Sequence, residues 1–160
     1  MKTESCIGCA IETEITDGPI HKYLLSSSGC WAKFGEILAR EYENFEYMSV
    51  HALTVDAYAL QHPGIESPQT ISSVYVHLAS LYSYFELKAP IAELSKIKQG
   101  LTKYKNQFKW LEPPENVTDI TVAYVLESDS AAQHREAVLK WAKYVYDRWE
   151  LHHAEVASFL

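Results

Sequence analysis

Apolar positions recur every three to four residues over most of the chain, which is the period of an amphipathic helix. They predict a first helix over about residues 29–44 and a second over about 46–61. The His-Pro-Gly sequence at 62–64 ends the second helix, because the residue before proline avoids the helical region. The Ser-Pro pair at 67–68 has the residue types of an N-cap and a first helical position, so it opens a third helix.

The second half of the chain follows the same period. Pro90 opens a fourth, more polar helix that ends near Gly100. Residues 118–127 carry β-branched side chains, but no partner strand is evident, so we expect a short helix there. Ser130 and Gln133 form a capping box for the last helix.

These elements predict an all-α fold, a helical bundle of five to six helices with an irregular N-terminal extension. A chain of 160 residues has the usual length of one domain. We therefore interpret residues 1–160 as a single helical domain. Within it, residues 1–29 are the metal-binding N-terminal segment and residues 30–160 are the bundle.

Composition and charge exclude several classes of protein. The formal net charge is −7, so we expect no binding to nucleic acid and no attraction to anionic membranes. The most apolar stretch, 71–87, is interrupted by polar side chains, which favours a buried helix over a membrane span. The N-terminus lacks the apolar core of a signal peptide, which predicts a cytoplasmic protein. In a reducing compartment, three cysteines indicate metal or redox chemistry more than disulfides.

The first candidate site consists of Cys6, Cys9, His21 and Cys30. Two thiolates spaced as Cys-x-x-Cys grip one side of a tetrahedral ion, and a second pair of ligands completes the site. We expect a structural zinc ion, because the N-terminal segment has few apolar residues to hold it against the bundle. Packing the first two helices together places His62 level with Cys30, so either His21 or His62 is the fourth ligand. A redox dithiol and uninvolved thiols are the alternatives.

A second group of histidines lies in the predicted bundle. His51 and His77 are equally far from the turn between the second and third helices, so antiparallel packing places them at the same level. His152 continues the apolar stripe of the last helix, and His153 lies on the adjoining flank. Metal sites in helical bundles are built from imidazole and carboxylate side chains that come from different helices. We therefore expect a second divalent metal there.

Two further residues near this group are predicted to act in catalysis. The Asp56 carboxylate is the candidate for orienting a metal ligand or acting as the general base. Tyr58 is the candidate proton donor. Glu41 is the other carboxylate at this level. The alternative is that each histidine hydrogen-bonds a backbone carbonyl or a tyrosine in the core. The chain has no nucleophile elbow, phosphate-binding loop or dinucleotide-binding glycine pattern.

Five short motifs are spread over most of the chain. They are CxxC at 6–9, DGPxHxY at 17–23, GCW at 29–31, HxLTVDAYxxQHPG at 51–64 and WxxHH at 149–153. Together they resemble a family of small bacterial proteins of unknown function. The resemblance implies a bacterial, single-domain protein and points to the same cysteine and histidine positions. It implies no activity, and the chain departs from the pattern at Ser28, where the family has proline.

The leading hypothesis from the sequence is a small metal-dependent enzyme, a hydrolase or transferase. A structural zinc would fasten the N-terminal segment, and the second metal would activate a water or a thiol for a small-molecule substrate. Two alternatives remain at this point. One is a non-catalytic sensor of a metal or small molecule, and the other is a structural protein with only the zinc site.

Overall fold

The computed structural model describes residues 1–160 and is mostly helical, which confirms the predicted fold class. No helix in it is both long enough and apolar enough to cross a membrane. Three 3-10 turns lie at Ile91–Glu93, Thr102–Gln107 and Glu150–His152. The eight α-helices are α1 (Ser28–Glu43), α2 (Phe45–Met48), α3 (His51–Gln61), α4 (Pro68–Phe85), α5 (Leu94–Leu101), α6 (Val122–Leu126), α7 (Ala131–Arg148) and α8 (His153–Ala157).

The N-terminal segment, which we expected to be irregular, contains a small antiparallel hairpin. Strand β1 (Thr3–Ser5) pairs with strand β2 (Glu12–Glu14). The loop between them is closed by the Cys6 N–H, which donates to the Ile11 carbonyl, and Ala10 adopts a positive φ of 62°. Strands of three residues are too short to show an alternating pattern in a sequence, so the hairpin escaped prediction.

The predicted helix starts are confirmed by their caps. The hydroxyls of Ser27, Ser67 and Ser130 each accept a hydrogen bond from the backbone N–H three residues further on. Each of these bonds satisfies a donor that the first turn of a helix leaves free. Helix α3 ends at Gln61, as the following His-Pro-Gly sequence predicted.

Two long helices of the prediction are each divided in the structure. The second is broken into α2 and α3 at Ser49 and Val50, where the Ser49 hydroxyl donates to the Glu46 carbonyl. The last breaks at Trp149, whose buried indole N–H donates to the Leu60 carbonyl at 3.0 Å. In both places a side-chain hydrogen bond accompanies the break, and no glycine or proline marks it in the sequence.

Helix α3 lies at the centre of the molecule and packs against both α4 and α7, which also contact each other. Helix α1 packs against α2 and α6, and α8 packs against α4. The fully buried core side chains include Leu53, Leu60, Leu78, Leu81, Trp141 and Val145. The hairpin contacts the start of α1 and the end of α3, so the polar N-terminal segment lies against one end of the bundle.

Candidate metal centre

Three cysteines and one histidine meet at the end of the bundle where the hairpin lies. The four residues are buried, and their potential ligand atoms all lie within 4.8 Å of one another. The Sγ atoms of Cys9 and Cys30 are 3.7 Å apart, and Cys30 Sγ is 3.5 Å from Nε2 of His62. Around a tetrahedral zinc ion, two sulfur ligands lie about 3.8 Å apart and a sulfur and a nitrogen about 3.6 Å apart. The group of Cys6, Cys9, Cys30 and His62 therefore has the spacing needed to hold a metal ion.

The tip of the hairpin positions the first two cysteines. The backbone N–H of Ala10 donates to the Cys6 carbonyl at 2.8 Å, which curls the Cys-x-x-Cys loop so that both thiols point inward. Gly8 in this loop packs against the end of α3. A Cβ atom at Gly8 would lie 2.5 Å from Cδ2 of His62 and 2.8 Å from the Gln61 carbonyl oxygen. Only glycine lets the loop approach the fourth ligand this closely.

The third cysteine lies in the first turn of α1. The Ser27 hydroxyl accepts a hydrogen bond from the Cys30 N–H at 3.1 Å, which fixes the start of the helix and the Cys30 backbone together. The preceding residue, Gly29, lies so close to Thr13 of β2 that a Cβ atom would collide with the threonine side chain. The hairpin therefore contacts α1 directly beside the cysteine.

The fourth residue, His62, caps the C-terminus of α3. Its Nδ1 atom lies 2.9 Å from the Tyr58 carbonyl oxygen, so Nδ1 carries the proton and donates it to that acceptor. In the neutral ring Nε2 is then the nitrogen with the free lone pair, and it lies 3.5 Å from Cys30 Sγ, which is the arrangement that ligating histidines adopt. The Tyr58 ring stacks on His62 at 4.0 Å, and its hydroxyl donates to Cys30 Sγ at 3.4 Å.

The thiols are coupled electrostatically because they share one buried space. Hydrogen bonds with the Cys30 and Cys9 thiols lower the pKa of Cys6 well below its ordinary value. The hydrogen bond with Cys6, followed by that with Cys9 and by burial, raises the pKa of Cys30. A cation at the centre of the group favours the thiolate form of every cysteine that coordinates it.

The other histidine proposed as fourth ligand, His21, lies outside the group. Its Nδ1 atom accepts a hydrogen bond from the Tyr23 N–H at 3.0 Å, and its ring contacts Trp31 edge-on at 5.2 Å. Between the two candidates left open by the sequence, the structure brings His62 to the cysteines.

The structure does not bring the histidines of the predicted second metal site together. The Nδ1 atom of His51 lies 2.9 Å from a carboxylate oxygen of Glu41, and that of His77 lies 2.7 Å from Asp56. The Cys/His group is the one set of three or more histidine, cysteine, aspartate or glutamate side chains whose potential ligand atoms all lie within 4.8 Å of one another. The expected divalent metal in the bundle is therefore not supported by the geometry.

The two late histidines form hydrogen bonds to backbone carbonyls. Nε2 of His152 donates to the Glu112 carbonyl at 2.9 Å, and Nε2 of His153 donates to the Tyr146 carbonyl at 2.9 Å. The His153 ring also stacks on the Tyr146 ring at 4.0 Å. These contacts match the alternative in which histidines tie the core together.

Glu41 is the centre of a buried polar cluster. The sequence placed Glu41 at the level of His51, but it did not indicate the contacts with Thr54 and His134. Its carboxylate accepts hydrogen bonds from Thr54 at 2.6 Å, from His134 at 2.8 Å and from His51 at 2.9 Å. Glu41 and His134 are both fully buried. No local sequence signal links His134 to a glutamate 93 residues away.

The two residues predicted to be catalytic are also held by neighbours. The carboxylate of fully buried Asp56 accepts hydrogen bonds from His77, Ser80 and Lys98. Tyr58 is buried as well, and its hydroxyl donates to Cys30 in the Cys/His group. Asp56 thus joins α3 to α4 and α5, while Tyr58 supports the candidate metal centre.

Comparison with known proteins gives one match. A model described as a family of unknown function, DUF5946, matches residues 4–150, which confirms the resemblance to such a family. The matched span contains the four residues of the Cys/His group and ends before His152 and His153. No curated protein and no solved structure matches the chain.

Proposed function

Because the chain belongs to DUF5946, a family of unknown function, we propose a function from its own geometry. The protein is a zinc-binding helical protein, and the ion has a structural role at the end of the bundle. The observation that carries this proposal is the convergence of Cys6, Cys9, Cys30 and His62 within 4.8 Å. The zinc fastens the hairpin to α1 and α3.

The donor set favours zinc over other metals. Three thiolates and one imidazole form a soft to borderline site, which zinc occupies in many structural centres. Calcium and magnesium prefer oxygen ligands, and no carboxylate belongs to the group. The spacing of 3.7 Å between two sulfur atoms also fits a tetrahedral site of this size.

The burial of the ligands favours a structural ion over a catalytic one. Catalytic zinc keeps a coordination position open for water or substrate, whereas structural zinc has four protein ligands. Here four protein side chains are present, and they are only 0–2% exposed. Such a site leaves a substrate no route to the metal.

The hairpin needs such an ion because it buries little apolar surface. Among residues 1–25, only Cys6, Cys9 and Thr13 are buried. Binding energy from a metal that bridges the hairpin and two helices adds directly to the free energy of folding. The zinc thus supplies the attachment that hydrophobic packing provides elsewhere in the molecule.

Of the hypotheses drawn from the sequence, this proposal favours the non-catalytic ones over the metal-dependent enzyme. The enzyme hypothesis required a second metal with an open coordination position, and His51, His77 and His152 each bind a different partner. Asp56 and Tyr58 hold the bundle and the Cys/His group in place.

Elemental analysis of protein purified without added metal tests the proposal. We expect one zinc ion per chain, and a Cys9→Ser variant that loses both zinc and several degrees of melting temperature. Ser5→Ala is the matched control, since Ser5 lies in the same hairpin and only donates to the Ala10 carbonyl. A Cys9→Ser protein with full zinc content and normal melting would rule the site out. Cobalt substitution of the wild-type protein adds a spectroscopic test, because sulfur-ligated tetrahedral cobalt absorbs strongly in the visible range.

A further inference from the structure

A cavity of about 440 Å³ lies directly beside the candidate metal centre. One wall is the tip of the hairpin, with Ile7 and Gly8 from the Cys-x-x-Cys loop. The second wall is the end of α3 and the turn that follows it, up to Ile65. The third is the loop 110–117, which contains Trp110 and two consecutive prolines. The volume lies in the range of about 300–1,000 Å³ that is usual for sites of small organic ligands.

Hydrogen bonds from several sides hold the loop 110–117 in place. The buried side-chain amide of Gln61 donates to the Val117 carbonyl at 2.9 Å from inside the bundle. From the other side, His152 donates to the Glu112 carbonyl at 2.9 Å and Arg148 to the Glu115 carbonyl at 2.6 Å. The cavity is therefore formed before any ligand arrives, which lowers the entropic cost of binding.

The rim of the cavity is apolar and unusually exposed. Ile7 is 74% exposed and Ile65 is 72% exposed, although both are large aliphatic side chains. Trp110 is half-buried, and its indole N–H donates to a Glu112 carboxylate oxygen at 3.0 Å. An apolar ligand body would cover these side chains and remove them from water.

The charge of the cavity is negative. Glu112 and Glu115 are its only ionisable lining residues, and neither carboxylate takes part in a salt bridge. The guanidinium of Arg148 binds the backbone carbonyl of Glu115 and not its carboxylate. An aromatic ring fixed beside a carboxylate attracts cations, through the ring face and through charge pairing.

We propose that this cavity binds a small organic ammonium ion with an apolar body. The ammonium group lies between the carboxylates of Glu112 and Glu115 and the ring of Trp110, and the body lies against Ile7 and Ile65. The site adds a ligand-binding activity to the proposed zinc protein. It rests on the proposed metal site only for the wall that carries Ile7 and Gly8.

Three ligands with the same apolar body test this proposal: phenylpropylammonium, phenylpropanol and phenylpropionate. Each is titrated by calorimetry and by NMR of the Trp110 indole N–H. We expect the ammonium to bind, the alcohol to bind about tenfold more weakly and the carboxylate not to bind. The double variant Glu112→Gln, Glu115→Gln should weaken ammonium binding about tenfold or more, because it removes both charges from the cavity. The side-chain amide oxygen introduced at position 112 still accepts the Trp110 hydrogen bond, so the wall stays in place.

Glu36→Gln is the matched control, since Glu36 is exposed on α1 and does not line the cavity. Ile65→Ser should weaken all ligands that bind, because it removes apolar contact without touching a charge. Equal affinity for the ammonium and the carboxylate would overturn the proposal, and so would an unchanged affinity in the double variant. Zinc is measured in every sample, so ammonium binding by zinc-free protein would reject the metal site while supporting the cavity. Zinc-loaded protein that does not bind the ammonium would reject the cavity proposal while supporting the metal site.

Discussion

Gly8 at the tip of the hairpin lies against the imidazole ring of His62, although the two residues belong to different parts of the molecule. A Cβ atom at Gly8 would approach Cδ2 of His62 to 2.5 Å. This contact sets how closely Cys6 and Cys9 on either side of Gly8 approach the ring nitrogen of His62. The geometry of the metal centre therefore depends on a residue that provides no ligand atom.

Gly8→Ala should weaken zinc binding while leaving all four ligands in the chain. The added methyl group must push the hairpin away from His62 and from the Gln61 carbonyl oxygen, which lies 2.8 Å from the ideal Cβ position. We expect a lower zinc affinity in a chelator competition assay and a loss of about 1–3 kcal/mol in unfolding free energy.

The control for this variant is Gly35→Ala in the exposed part of α1, where nothing lies within 4 Å of a Cβ atom. This change should stabilise the protein by about 0.5–1 kcal/mol, because alanine is favoured over glycine inside a helix. Equal zinc affinities of Gly8→Ala and Gly35→Ala would show that the hairpin does not need the close contact.

His62→Ala and His21→Ala should differ sharply in zinc binding. His62 has its free Nε2 atom 3.5 Å from Cys30 Sγ, whereas His21 binds the Tyr23 N–H outside the group. We expect His62→Ala to lower zinc affinity on the order of 100-fold or more, and His21→Ala to leave it unchanged. Competition with a chromophoric chelator measures both. Loss of zinc in His21→Ala with retention in His62→Ala would reverse the assignment of the fourth ligand.

Glu41→Gln should destabilise the bundle in a way that depends on pH. Burial by itself raises the pKa of Glu41, but the hydrogen bonds from His134, His51 and Thr54 outweigh it and lower the pKa in the folded protein. The ionised carboxylate therefore stabilises the fold above the unfolded pKa of about 4.3, and this contribution is lost as the pH falls through the folded pKa. At pH 7 we expect the variant to lose about 3 kcal/mol of unfolding free energy.

Urea unfolding of wild type and Glu41→Gln between pH 7 and pH 3 measures this effect. The difference between the two proteins should shrink as the solution becomes more acidic, because the wild-type carboxyl group is then protonated as well. Glu43→Gln, which changes an exposed glutamate two residues away, should show no such trend. A difference that grew on acidification would contradict the ionised state of Glu41.

Gln61→Leu should be among the more destabilising substitutions outside the metal centre. The Gln61 amide donates to the Val117 and Ile120 carbonyls, and its oxygen accepts from the Trp141 indole N–H at 2.9 Å. Leucine leaves these partners unpaired, so we expect a loss of about 2–4 kcal/mol in unfolding free energy. Thermal and urea unfolding measure the loss.

Gln99→Leu, which changes an exposed residue of α5, is the control for Gln61→Leu, with an expected change within about 0.5 kcal/mol. The Gln61 variant should also weaken ammonium binding, because the loop 110–117 loses its bond to α3. A Gln61→Leu protein as stable as Gln99→Leu would show that the loop does not depend on this amide.

The sequence by itself determined the features that rest on local interactions. The caps at Ser67 and Ser130 join atoms three residues apart, so the residue types alone predict them. The Cys-x-x-Cys pair likewise needs only its own spacing to form half of a metal site. The helical period and the His-Pro-Gly stop after α3 were determined in the same way.

The tertiary structure alone decided which distant side chains meet. Successive residues of a helix are rotated by about 100° about its axis. Knowing that two residues lie at the same height on packed helices therefore does not tell which face of its helix each one occupies. His51 faces Glu41 of α1. His77 contacts α3 at Asp56, which lies about 7.5 Å from His51 along the axis of α3. The selection of His62 over His21 depended in the same way on where the hairpin packs, because close packing against α3 brings the cysteines to that ring.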